Sequence, residues 1–156
     1  MFYGKEAIYY GINLFKKALI LEKRNSFLEA VYQYGSVLDV YYTSMQQELK
    51  DIALYAIRSL FRLCQKTNYQ EPAISVTIYH SERLPLYFQN ETDFFTKLIL
   101  VEVLCKGIYL CLQPKSKNTQ KAKKMFNYLK THYKSYPERK IQRQITKITK
   151  FIKKQK

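Results

Sequence analysis

Ala73-Ile-Ser-Val-Thr-Ile-Tyr-His-Ser-Glu82 is the stretch on which the fold class turns. Ile74, Val76 and Ile78 alternate as one face of a strand would, yet Ile74 and Ile78 also stand one helical turn apart. A lone strand in a chain that is helical elsewhere would leave its backbone donors and acceptors without partners, so the stretch reads as a helix that stops before Pro85. Asn68 to Pro72 forms the turn before it, and Leu84 to Thr92 a connecting loop after it.

Toward the N-terminus the apolar residues keep a helical period. Ile8, Gly11/Ile12, Phe15 and Leu19 step by three or four and form a first stripe. Asn25 or Ser26 ends this segment, and Ser26-Phe-Leu-Glu29 reads as a capping box opening the next helix, whose stripe is Phe27, Val31, Tyr34, Leu38, Tyr41 and Met45. Leu49, Ala53, Ala56, Leu60 and Leu63 continue in phase. A forty-residue helix is far longer than usual, so a break is placed at Thr43 to Gln47, with Ser44 and Gln47 as a second capping box.

Toward the C-terminus, Thr92 or Asp93 caps a helix running to about Leu112. It is apolar around most of its circumference and is expected at the domain centre. Pro114 to Asn118 stops it. Ala122, Met125, Phe126, Leu129, Tyr133 and Tyr136 mark a sixth helix, and Pro137 opens a seventh lined by Ile141, Ile145, Ile148 and Ile152. The chain of 156 residues has only four Gly and four Pro, which favours such long elements over a turn-rich sandwich or barrel. The expected fold is all-α: a tetratricopeptide-like, antiparallel helix-hairpin solenoid of about seven helices, one domain over 1–156 with a basic portion at 114–156.

The charge is unevenly placed. Pro114 to Lys156 carries 15 Lys and Arg against the single Glu138, whereas Met1 to Gln113 carries 12 against 11. Lys121, Lys123, Lys124, Lys130, Lys134, Arg139, Lys140, Arg143, Lys147, Lys150, Lys153, Lys154 and Lys156 would attract phosphate with strong salt dependence. Base reading asks for Arg, Asn or Gln on a groove-fitting element, and no helix-turn-helix is legible. A basic nucleic-acid-associated protein is therefore one reading, and a solvated cationic face another.

The inventory for catalysis is thin. His80 and His132 read as surface residues with no acid or nucleophile spaced to complete a site, and the four glycines are too scattered for a phosphate loop. The chain reads as a non-enzyme without a cofactor. Cys64, Cys105 and Cys111 lie in apolar stretches and read as buried thiols of a reducing, cytoplasmic compartment. The last two are six residues apart, on different helix faces, which disfavours a metal site. Met1 to Leu21 lacks the pattern of an export signal. Lys97, Glu102 and Lys106 interrupt the most apolar stretch, so membrane insertion is not expected.

One polar row stands out. Asp51, Tyr55, Arg58 and Arg62 share the face of the third helix opposite its apolar stripe, bringing together a carboxylate, a phenol and two guanidinium groups. On the inner wall of a solenoid they would hold an extended peptide, with Arg gripping a carboxylate bidentately. As a plain solvated face they would support one another along the helix.

Two resemblances bear on these readings. Glu6 to Leu19, with Phe15 and Ala18, resembles the second helix of a tetratricopeptide repeat, and Ala30-Val-Tyr-Gln-Tyr34-Gly35 the first helix of the next, where Gly permits close approach. Asp93 to Leu110, with its late Gly107, followed by Gln120-Lys-Ala-Lys-Lys-Met125-Phe, resembles the C-terminal region of Rgg-type quorum-sensing transcriptional regulators. That resemblance implies a helical-repeat domain that binds a short signalling peptide on its concave side and forms a homodimer through its C-terminal helices. Such regulators begin with a DNA-binding helix-turn-helix. Here Met1 opens on what resembles the second helix of a repeat, so the chain reads as a truncated regulator or as a stand-alone sensor or antagonist module, and direct DNA contact does not carry over. A plain protein-protein scaffold is the remaining reading.

Overall fold

The computed structural model describes residues 4–155; Lys156 of the basic row lies outside them. Among these residues there are seven α-helices and no strand: α1 (Gly4–Lys23), α2 (Phe27–Ser44), α3 (Lys50–Lys66), α4 (Glu71–Arg83), α5 (Phe94–Cys111), α6 (Thr119–Tyr133) and α7 (Arg139–Lys154). The stretch from Ala73 to Glu82 is thus helical. The chain divides into two compact units, 1–80 and 81–156, with the division falling inside α4.

In the first unit α1 packs on α2 and α2 on α3, the succession of antiparallel hairpins that short connections impose. Val31, Tyr34 and Leu38 of α2 and Ala53, Ile57 and Leu60 of α3 are all closed to solvent. The buried seam of α1 is Ala7, Gly11 and Ala18: of the expected stripe Gly11 is buried, whereas Ile8, Ile12, Phe15 and Leu19 are only half-buried. Gly11 lies close against Leu49: a β-carbon there would stand 2.9 Å from both Leu49 methyl groups.

Neither expected capping box forms. Asn25, with φ 61°, ends α1 in a left-handed conformation; its N–H donates to Glu22 O (3.0 Å) and that of Ser26 to Leu21 O (2.9 Å). This pair of bonds is a Schellman closure, and Ser26 precedes α2 without a side-chain cap bond. Asn68 (φ 54°) closes α3 the same way, through Asn68 N to Gln65 O and Tyr69 N to Cys64 O. The break after α2 falls where expected, but Met45 makes it with φ 53°, followed by a 3₁₀ turn at Gln47–Leu49; Ser44 Oγ is buried without a hydrogen-bond partner instead of capping.

In the second unit α5 packs on both α6 and α7. Leu100, Leu104 and Ile108 of α5, Met125 and Leu129 of α6 and Ile141, Ile145 and Ile148 of α7 are buried; Ile152 is half-buried. The span expected as a loop contains a 3₁₀ helix at Leu84–Phe88, held because Leu84, Pro85 and Phe88 are buried and Tyr128 Oη donates to Pro85 O at 3.0 Å. Asp93 caps α5: its carboxylate accepts from Thr96 N and Thr96 Oγ1, both at 2.9 Å. Asp93→Ala should destabilise the chain by about 1 kcal/mol in urea unfolding, and Asp93→Asn by clearly less.

Candidate functional site

Helical spacing places Asp51, Tyr55, Arg58 and Arg62 on one side of α3, and the structure divides that row. Asp51, Tyr55 and Arg58 are exposed, whereas Arg62 is drawn into the first unit. Arg62 Nε and one terminal nitrogen donate to the two carboxylate oxygens of Glu22, both at 2.8 Å, and the same terminal nitrogen reaches Ser59 Oγ at 3.0 Å. Tyr34 Oη donates to Glu22 Oε1 at 2.8 Å. Phe15 meets the Tyr55 ring edge-on at 5.3 Å, and the Arg62 guanidinium lies 5.9 Å from that ring. The bidentate geometry foreseen for a ligand carboxylate is therefore occupied by the chain's own Glu22. Hydrogen bonding to Arg62 holds the Glu22 carboxyl below the ordinary glutamate value against the opposing effect of burial, with Tyr34 adding to the lowering.

A second place in the same unit combines concavity with mixed chemistry. Tyr32, Gly35, Ser36 and Asp39 of α2 and Ser75, Val76, Tyr79 and His80 of α4 line a cleft of about 460 Å³. Tyr32 and Tyr79 are 55% and 44% exposed, enough to present ring area to a ligand. The helices approach closely at Gly35, where a β-carbon would stand 3.2 Å from His80 Nε2 and 3.3 Å from Val76 Cγ1.

His80, expected at the surface, is only 3% exposed. The helical register of α4 puts it on the inward side with Ala73 and Thr77. Burial is tolerated because Tyr42 Oη and His80 Nδ1 lie 2.9 Å apart, a hydrogen bond whose direction follows the imidazole tautomer. The Tyr79 ring meets His80 edge-on at 4.9 Å. His132, also expected at the surface, is half-buried with its ring 4.1 Å from that of Tyr128.

The sequence carried a signal for this cleft. Tyr32, Gly35, Ser36 and Asp39 follow i, i+3, i+4, i+7 spacing on α2, as Ser75 and Tyr79 are one turn apart on α4. What it could not supply was the juxtaposition of the two helices.

The three thiols are buried, and burial pushes Cys105 up to about 12 and Cys111 up to about 11, so both stay protonated at neutral pH. Cys64 is raised by burial too, and lies 3.2 Å from Thr77 Oγ1. Among the described residues no cluster of His, Cys, Asp and Glu could hold a metal ion, and no helix is long and apolar enough to cross a membrane. No family model, curated protein or solved structure matches the chain.

Proposed function

We propose that the chain is a non-enzymatic regulatory module that holds a short extended peptide, or an extended segment of a protein partner, in the cleft between α2 and α4. The observation that carries this reading is the cleft itself. Two half-exposed tyrosines flank a floor at Gly35, and Ser36, Asp39 and Ser75 give the cleft a polar edge that suits the backbone of an extended ligand. Tyr supplies large contact area at low entropy cost, which suits a small peptide surface. The tetratricopeptide-like register of α1 and α2 and the Rgg-like stretch of α5 and α6 support a place in, or beside, a transcriptional regulator of that class.

Calorimetric titration of the full chain against short hydrophobic peptides encoded by neighbouring reading frames tests the reading. A peptide that binds should lose about tenfold or more in affinity with Tyr32→Ala or Tyr79→Ala. Asp51→Ala and Arg58→Ala should leave binding within about twofold. The reverse pattern would move the site to α3. No heat from any peptide in the set would count against a peptide ligand altogether.

A further inference from the structure

The outer face of α7 is a row of cations. Arg139, Lys140, Arg143, Lys147, Lys150, Lys153 and Lys154 are all exposed, none forms an ion pair among the described residues, and α7 contains no acidic residue. On α6, by contrast, Lys121 and Lys124 approach Glu82 at 3.7 and 3.8 Å. Arg139, Arg143, Lys147, Lys150 and Lys154 follow one another at steps of four, four, three and four residues. At a rise of 1.5 Å per residue they form one row of about 22 Å, with a cation roughly every 6 Å. Glu102 of α5 lines a cleft beside Arg139, Lys140, Arg143 and Lys147 without pairing to any of them.

We infer that this face binds the phosphate backbone of duplex nucleic acid without reading its sequence. A linear row of unpaired cations complements a linear polyanion, whose duplex form carries a charge per ~1.7 Å of axis. The opposite side of α7 is already spent: Ile141, Ile145 and Ile148 are buried in the second unit. An amphipathic helix lying on a membrane needs that apolar side for the acyl region, so only the cations remain to be offered. A second copy of the same face would set like charge against like. Base reading is poorly provided for, because the Gln142 amide is turned back to donate to Lys134 O and Tyr136 O. Lysine-dominated contacts position a backbone and do not discriminate bases.

The experiment measures fluorescence anisotropy of a labelled random-sequence duplex titrated with the full chain at several salt concentrations. With about five phosphate contacts, affinity should fall on the order of 10²–10³-fold between 50 and 200 mM salt. The triple variant Arg143→Gln, Lys147→Gln, Lys150→Gln should weaken binding at least about tenfold at low salt and flatten the log–log salt slope by about 3. Lys5→Gln, Lys16→Gln, Lys17→Gln removes the same charge from exposed positions of α1 and should leave both quantities nearly unchanged. Equal loss in the two triples would assign the effect to net charge and overturn the proposal. No binding at 50 mM salt would overturn it as well, as would tighter binding to phosphatidylserine vesicles or to polyglutamate than to the duplex. Circular dichroism of each triple checks that the helices persist.

Discussion

Glu22→Ala should destabilise the protein by about 2–3 kcal/mol, more than any exposed carboxylate substitution in the chain. The argument rests on what the carboxylate receives. Arg62 donates twice to it and Tyr34 donates once, so removing Glu22 takes away three hydrogen bonds at once, although Arg62 keeps Ser59 Oγ. Tyr34 has no solvent exposure, and a buried hydroxyl left without an acceptor costs about 1–3 kcal/mol. A fully buried ion pair broken on one side costs about 3–5 kcal/mol, but here the Arg62 side chain is 38% exposed and can rehydrate, which brings the figure down.

Arg62→Ala should cost less, about 1–2 kcal/mol, because Glu22 keeps the Tyr34 hydroxyl and can take up water. Combined in one chain, the two substitutions should show a coupling of about 1–2 kcal/mol in urea unfolding. Additivity, or a Glu22→Ala cost below about 0.5 kcal/mol, would mean that the three groups do not act together. Acid gives an independent readout. The folded carboxyl is depressed, so its stabilising contribution is complete above the unfolded glutamate pKa of about 4.3. That contribution is lost as pH falls through the lower folded value. Between pH 6 and pH 3 the stability difference between the natural chain and Glu22→Ala should therefore narrow.

This network explains why the sequence yielded the helices more readily than the site. Period and punctuation are local: the stripes of α2, α3, α6 and α7, the apolar run of α5, the break after Ser44 and the Asp93 cap all lie within a few residues of their signals. Even the errors at helix ends were local. Asn68 closes α3 where the turn from Asn68 to Pro72 was expected, whereas at Asn25 the Ser26-to-Glu29 spacing was the more conspicuous but less decisive cue. Arg62 and Glu22, however, are 40 residues apart, and nothing in either neighbourhood marks them as partners. The same holds for Tyr42 and His80, 38 residues apart, whose hydrogen bond makes burial of the imidazole tolerable. A row on one helix face can be drawn from sequence alone. Whether a given member points to ligand or to its own chain depends on which helix packs beside it.

Gly107→Ala should destabilise the chain by about 1–3 kcal/mol, although alanine ordinarily improves a helix interior by about 1 kcal/mol over glycine. A β-carbon at position 107 would stand 2.8 Å from Ser81 Cβ and 3.0 Å from Met125 Sδ. The methionine sulfur can swing aside. Ser81 Cβ cannot, because it is fixed to its own backbone, so α5 must shift within a core where Leu104 and Ile108 are already closed to solvent. Gly35→Ala is the internal comparison: its nearest neighbours would be 3.2 and 3.3 Å away, so a displacement of a few tenths of an ångström accommodates the methyl and the helix preference offsets much of the cost. Urea midpoints should therefore fall for Gly107→Ala and move little for Gly35→Ala. Adding Ser81→Gly to Gly107→Ala removes the fixed obstacle, and the pair should be more stable than the sum of the two single changes by about 1 kcal/mol or more. Gly107→Ala at or above natural stability would show that α5 tolerates a side chain there, and the late glycine of its apolar run would then owe nothing to packing.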